Sequence, residues 1–358
     1  MAIFRRKIYQ PVRALTISEH GDLDRLQYRT DLPVPEPGPG EIRVRIHSAA
    51  FNHLDLWVLR GLPGVTIRPP WVMGADGAGV VDTYGGPPPA GAPDRGEPVL
   101  INPGISDRAC EFCRRGEQSM CIRFGLLGEH HPGTFADYVV VPVSNVRRIP
   151  PGVTMDQAAA FTLVTLTAWR MVVTRAAVQP DETVLIWGIG GGVAQAALAI
   201  AKLRGARVWV TSSDDSKLAR ARELGADETF NHSSVDVARE IRARTGKRGV
   251  DVVLDNVGQA TWKQSLGALA KGGRLVTSGG TSGSAVETDV RKLFWNQWTI
   301  LGSTMGNDAE LDAIVAELAA GRLRAPIDSV FPLERGREAL EHLQKAEQFG
   351  KVVLRLVD

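Results

Sequence analysis

The chain has three cysteines in 358 residues, and all of them lie in one short stretch, at Cys110, Cys113 and Cys121. Asp107 stands three positions ahead of the first, giving a D-x2-C-x2-C-x7-C row. The loop is turn-rich, with Asn102-Pro103-Gly104 before the row and Arg115-Gly116 inside it. Thiolates and a carboxylate at this spacing can close on one tetrahedral metal such as zinc. The competing reading is three reduced thiols in a collapsed loop. Such a row points to a structural lobe on a larger enzyme. An odd cysteine count in one loop builds no disulfide framework, so the expected location is a reducing cytoplasm.

A second chemical signal is Trp187-Gly188-Ile189-Gly190-Gly191-Gly192-Val193-Ala194. It follows a predicted strand, Thr183 to Trp187, and opens a predicted helix, Val193 to Leu203. Glycines there let backbone N–H groups approach a pyrophosphate at the helix N-terminus, where the dipole favours an anion. A strict G-x-G-x-x-G is not met, because Val193 fills the last place after Gly188 and Gly190. About twenty residues further on, an acidic side chain would hold the ribose hydroxyls of NAD. Here Ser212 and Ser213 occupy that place, and Lys217 follows one turn into the next helix. Small hydroxyls and a cation favour the 2′-phosphate of NADP over NAD. Asp214 is left as a possible substitute acid.

These groups need elements to hold them. Residues 13 to 150 read as β-rich: alternating runs at Glu41 to His47, Gly79 to Thr83 and Tyr138 to Pro142 are split by Pro and Gly clusters. Met155 to Val173 is apolar and alanine-rich, which predicts a helix. From Thr183 onward the pattern alternates: strands at 183–187, 207–211, 250–255, 274–278 and 299–302, helices at 193–203 and 215–224. That rhythm predicts a parallel, doubly wound sheet. A helix after Asp308 and a last strand, Gly350 to Val357, are expected to return to the first domain. Formal net charge is +2 and no basic stripe is present, so nucleic acid is not an expected partner. No apolar run has membrane-spanning length, and Met1 to Val12 lacks the apolar core of a secretory signal. The expected partner is a small-molecule substrate.

Taken in order, these pieces resemble the medium-chain dehydrogenase/reductase superfamily: Pro37-Gly38-Pro39-Gly40-Glu41 before a strand, Gly74 to Val81, the four-ligand row, the glycine-rich turn, and Leu224-Gly225-Ala226-Asp227. The resemblance covers the chain from Arg13. It implies an α/β fold, with a doubly wound Rossmann nucleotide-binding domain over residues 165–305. The β-rich GroES-like catalytic domain would take residues 1–164 with 306–358, carrying a structural zinc lobe at about 102–125. It implies that Gly188, Gly190, Gly191, Gly192 and Val193 hold the pyrophosphate, and that Ser212, Ser213 and Lys217 hold the adenosine end. Thr167, Gly258, Gly279, Ser303 and Met305 fall around the nicotinamide, and Lys351 in the closing strand reaches the cofactor cleft or ends in solvent. Assembly as a homodimer or homotetramer through the strand Thr299 to Ser303 is likewise implied.

Zinc alcohol dehydrogenases of this superfamily hold a catalytic zinc at three positions, which fall here on Asn52, Ala75 and Leu163. An amide, a methyl and an isobutyl group make no zinc site; His53, Asp55 and Asp76 are the only substitutes nearby. Asn52 and Asp55 are similar to the N-x-x-D of the zinc-independent branch, and they also suit the cap of a helix starting near Leu54. On the first view Asn52 donates an amide N–H to the substrate oxygen, with His53, Asp55 or Tyr84 as proton source. The expected activity is NADPH-dependent reduction of a conjugated enone or quinone. Two alternatives stay open: an alcohol dehydrogenase, and an NADPH-binding protein without turnover.

Overall fold

From Glu41 to Ala50 apolar and polar residues alternate, and in the computed structural model, which describes residues 11–357, they form the strand on which the first sheet is built. Its inward residues Ile42, Val44 and Ile46 are fully buried. The seven-stranded sheet runs Val146–Arg148, Pro98–Ile101, Asp76–Tyr84, Glu41–Ala50, Lys351–Arg355, Ile327–Pro332, with Tyr138–Pro142 also on Glu41–Ala50. The closing strand thus joins the first sheet by antiparallel pairing, Val353 opposite Ala50. On its other side Ala50 pairs with Asp76. One residue therefore has the segments carrying 76 and 351 on its two flanks, just before the chain turns through Asn52.

The second sheet has six parallel strands in the order Glu228–Asn231, Arg207–Ser212, Thr183–Ile186, Val250–Leu254, Leu269–Thr277, Thr299–Gly302. Counted along the sheet this is 3-2-1-4-5-6, the doubly wound order with its crevice at the strands' carboxyl ends. The strand Glu228–Asn231 and the helices Val237–Arg244, Trp262–Ala268 and Val290–Asn296 go beyond the sequence expectation. Glu228–Asn231 is a short sheet edge with little apolar signal, and Val237–Arg244 buries only Val237 and Ile241.

Helix Met155–Trp169 packs on the first sheet and against helix Gly192–Leu203, with Thr154 capping it by accepting from the Gln157 N–H at 3.2 Å. Its alanines 158, 159 and 160 are fully buried and allow close approach on several sides. It ends in a π-helical turn, Arg170–Arg175, so the regular helix stops short of the expected Val173. No described helix is long and apolar enough to cross a membrane. The reading of Met1 to Gln10 lies outside the described residues.

Candidate active site

A cleft of about 400 Å³ opens between the sheets. Its floor is the glycine-rich turn at the N-terminus of the twelve-residue helix Gly192–Leu203. A Cβ on Gly192 would lie 2.9 Å from Lys351 Cδ and 3.0 Å from Val164 Cγ1, and one on Gly190 would lie 3.3 Å from the Gln348 carbonyl oxygen. The turn is packed so closely that only glycine fits beside the lysine stem. Gly188 has φ +69°, where a side chain would be strained. The residues and helix terminus fit a dinucleotide phosphate.

Of the expected cofactor residues, Gly188, Gly190, Gly191, Gly192, Val193, Ser212, Ser213, Lys217, Thr167, Gly279, Met305 and Lys351 border this cleft. Gly258 and Ser303 do not. Gly258 turns at φ +85°, and a Cβ there would lie 2.5 Å from the Gly283 carbonyl oxygen, so it shapes a loop behind the wall. The Ser303 hydroxyl is buried without a protein partner away from the cleft. Thr167 Oγ1 lies 3.5 Å from Met305 Sδ, and Met305 sits at φ +45°, an uncommon conformation for a non-glycine residue. At the far end the Asp214 carboxylate accepts from the N–H groups of Ser216 (2.7 Å) and Lys217 (3.4 Å), capping the next helix. Asp214 is thereby committed, and the wall at this end offers Ser212, Ser213 and the Lys217 ammonium. Asn256, Ser278 and His232 also line the cleft and were missed from sequence. Each follows a strand's carboxyl end, which is the signal that would have found them. Among the tryptophans, Trp57 borders the cleft, Trp71 and Trp298 donate to backbone carbonyls, and Trp295 is exposed.

The reacting end is built around a buried ion pair. Lys351 Nζ donates to Asp76 Oδ2 at 3.0 Å and to Asn52 Oδ1 at 2.6 Å. Their side chains are 3% (Lys351) and 0% (Asp76) exposed. Asp76 Oδ1 accepts from the Leu163 N–H at 2.9 Å, and Asp76 Oδ2 also accepts from Asn52 Nδ2 at 3.0 Å. Asn52 caps helix His53–Arg60, and Asp55 reaches back to the Asn52 N–H at 2.7 Å. Three expectations are corrected here. The Asn52 amide gives its N–H groups to Asp76 and, at 3.4 Å, to the Ala50 carbonyl, so it is not a free donor for substrate. Asp55 is fully buried behind the cleft as a cap. Tyr84 is no proton source either, since its hydroxyl donates to the Pro93 carbonyl far from the cleft wall. His53 does border the cleft, and burial, together with the Lys351 charge, lowers its pKa.

Burial pushes the Asp55 carboxyl up to about 7, with Asp76 adding to the shift, while the Asn52 N–H and Lys351 oppose it. A carboxyl raised in the folded state contributes stability that is complete below its unfolded pKa of about 3.9 and is lost as pH rises through 7. Asp55→Asn keeps an oxygen for the Asn52 N–H and removes the titration. Its melting temperature relative to the unaltered protein is expected to rise between pH 5 and pH 8, by the equivalent of a few kcal/mol at about 1.4 kcal/mol per pKa unit. A pH-independent difference in calorimetry would contradict this.

In the loop, Asp107, Cys110, Cys113 and Cys121 bring their ligand atoms within 4.8 Å of one another. No disulfide joins the cysteines, and Cys110 Sγ and Cys113 Sγ are 3.6 Å apart. The Asp107 carboxylate accepts from the Ala109 and Cys110 N–H groups (2.9 and 3.0 Å), which holds it below the usual carboxylate range. Among the described residues this is the one place where three or more such side chains converge.

Comparison with known proteins agrees with this construction. The family model of the alcohol dehydrogenase GroES-like domain matches residues 38–151, and that of the zinc-binding dehydrogenase matches 192–320. A solved structure described as an NAD-dependent alcohol dehydrogenase is 43% identical with a TM-score of 0.91, covering 96% of this chain and 99% of that one. The chain belongs to the medium-chain dehydrogenase/reductase superfamily. An NAD-dependent alcohol dehydrogenase of Sulfolobus acidocaldarius is 30% identical over 96% of this chain and 100% of its own length. The quinone oxidoreductase of Homo sapiens is 26% identical over 96% and 98%. The chain is thus an oxidoreductase with a GroES-like domain and a Rossmann-type parallel sheet.

Two metals are implied by this superfamily, and the residues treat them differently. The loop offers three sulfurs and a carboxylate at one point, which fits zinc. At the catalytic position, Ala75 has a methyl group, Leu163 contributes its backbone N–H to Asp76, and Asn52 faces a lysine. His53, Asp55 and Asp76 do not converge into a ligand set. A cationic ammonium inside the cluster would also repel a second cation. These residues do not fit a catalytic zinc.

Proposed function

We propose that this oxidoreductase is an NADPH-dependent reductase that transfers hydride to a conjugated enone, a quinone or a related carbonyl acceptor without a catalytic zinc. The observation that carries the reading is the Lys351–Asp76–Asn52 cluster, a protein cation where zinc enzymes of the superfamily hold their metal. When bound, a reduced nicotinamide supplies the hydride. The chain's own residues orient and shield it. The turn at Gly190 to Gly192 cradles phosphate, Thr167 and Met305 fix the nicotinamide face, and Ser212, Ser213 and Lys217 take the adenosine end. Conjugated acceptors suit a site without a divalent ion, because the added charge spreads over an enolate or phenolate. The experiment is oxidation of NADPH and NADH against enones, quinones and aldehydes, alongside alcohol oxidation, with metal content measured on the same sample. Expected are NADPH-dependent turnover of an enone or quinone and a rate that chelator leaves unchanged. Chelator-sensitive alcohol oxidation with two zinc ions per chain would overturn the reading in favour of alcohol dehydrogenase chemistry, which the names of the relatives support. Cofactor binding without turnover on any acceptor would favour a binding protein.

We infer further that Asp107, Cys110, Cys113 and Cys121 hold one structural zinc. Removal by a strong chelator over hours is expected to lower the melting temperature and open residues 102–126 to protease, because metal binding and folding of such a lobe are coupled. Metal-free protein with unchanged melting and proteolysis would contradict it. Pairing through the edge strand Thr299–Gly302 is proposed too. Val290, Phe294 and Trp295 beside it are exposed at 66, 64 and 71%, a patch a monomer rarely leaves open. A monomer mass in light scattering would overturn the pairing.

A further inference from the structure

We propose that Lys351 is the catalytic electrophile: its ammonium polarises the acceptor oxygen and gives that oxygen its proton. The inference rests on the reductase reading above and assigns the group that reading leaves open.

Lysine is almost never fully buried unless something holds it there. Here the stem runs past Gly192 and the head is fixed by Asp76 and Asn52. Asp76 is itself anchored, since the Leu163 N–H and the Asn52 amide occupy its remaining acceptor sites. Two of the three ammonium N–H groups are therefore spent. The third has no acceptor among the described residues, and Lys351 borders the cleft with Asn52 and His53. Stability alone does not call for such an arrangement, because a buried ion pair is commonly no better than apolar residues of the same volume. A phosphate contact does not explain it either. The stem passes the glycine turn, yet the ammonium is held beyond it by Asp76 and Asn52.

The chemistry also favours lysine over arginine. Lysine is a compact charge that can release a proton, whereas a guanidinium does not. In the proposed step, hydride from the reduced nicotinamide forms a C–H bond at the β-carbon of the acceptor. The C=C pair moves to make the enolate, and a proton passes from Lys351 Nζ to the enolate oxygen. The N–H bond breaks, the nicotinamide is oxidised, the acceptor is reduced by two electrons, and the neutral amine regains its proton from water. His53 also borders the cleft. The titratable and charged groups around Lys351 are His53 and Asp55 from helix His53–Arg60 and Asp76 from the strand beside it.

The test compares the unaltered enzyme with Lys351→Arg and with the double variant Lys351→Met/Asp76→Asn, which removes both charges together so that neither is left buried alone. NADPH affinity by fluorescence, kcat and KM for the acceptor, and the pH profile are read on each. Expected is a loss in kcat of about 10²–10⁴-fold in both variants, with NADPH affinity and melting temperature near those of the unaltered protein. Small primary amines are expected to restore part of the rate of the truncated variant Lys351→Ala/Asp76→Asn, which leaves open the space that methionine fills. A double variant that matches the unaltered enzyme in kcat overturns the role of Lys351, as does a loss explained wholly by weaker NADPH binding. An unaltered enzyme that reduces no acceptor overturns the reductase reading itself, and this role with it.

Discussion

Ser212→Asp is expected to lower kcat/KM with NADPH by about 10–10³-fold and to raise it with NADH, the Coulomb term for two like charges at contact being about 1–4 kcal/mol outside the deep interior. Ser212 ends the strand Arg207–Ser212, is 6% exposed, and its hydroxyl accepts from the Asp214 N–H at 3.1 Å. A carboxylate there would meet the 2′-phosphate of NADP with like charge and would accept from the ribose hydroxyls of NAD. The effect depends on no other acid serving this end of the cleft. Asp214, the alternative, spends its carboxylate on the Ser216 and Lys217 N–H groups. Lys217 Nζ, now donating to the Ala346 carbonyl at 2.5 Å, is the cation left to answer a phosphate. Steady-state kinetics with both cofactors reads the switch. Equal use of NADH by the unaltered enzyme would remove the premise, and the NAD-dependent names of two relatives make that the sharper control.

What was legible in the sequence was local. The glycine-rich turn, the D-x2-C-x2-C-x7-C row and the β–α alternation each need only neighbours in the chain, so residue type and spacing were sufficient. The β–α alternation predicted a parallel, doubly wound sheet, but the order of its strands and the edge strand Glu228–Asn231 were not read from sequence. Lys351, by contrast, meets Asn52 and Asp76 across 299 and 275 residues. Nothing near Gly350 announces those partners; only the register of three strands, with Ala50 opposite Asp76 and Val353, brings them together. Asn52 and Asp55 were ambiguous for a physical reason. A helix cap and an active site both ask for short polar side chains at a chain turn. In this protein Asp55 is spent on the cap, and Asn52 both caps and orients the lysine. Arg170 was a signal left unused. A lone arginine in the apolar run from Ala158 to Val173 must find acids when that run is buried, but the sequence does not say which.

Those acids make Arg170→Leu the most destabilising single change expected here, at about 3–5 kcal/mol. Arg170 begins the π-helical turn, and its side chain is 5% exposed. Nη1 donates to Glu310 Oε2 at 2.8 Å and Nη2 to Glu117 Oε2 at 2.5 Å. Glu310 is equally enclosed at 8%, takes the Thr174 hydroxyl on its other oxygen, and closes a capping box with Asn307 at the start of helix Asp308–Ala319. Glu117 lies in the metal loop between Cys113 and Cys121. The same loop adds Gln118 to the Asp308 N–H and Arg108 to the Asp308 carboxylate. Leucine would leave the Glu310 carboxylate buried without its cation, which accounts for most of the cost. Glu117→Gln is expected to cost far less, because Glu117 is a third exposed and its partner keeps Glu310. Replacing Arg170 and Glu310 together by leucine should recover part of the loss, since the only carboxylate then left unpaired is Glu117, which solvent reaches, although the Asn307 capping box is lost with Glu310. Denaturant unfolding of the three variants separates these cases, and a double variant no better than Arg170→Leu would contradict the account. The damage is expected to reach the cleft as well. Thr167 lies one turn before Arg170, and Met305 lies just ahead of the Glu310 helix. The arginine therefore ties down both segments that meet at the 3.5 Å Thr167–Met305 contact, and its loss should raise KM for the cofactor even where the fold survives.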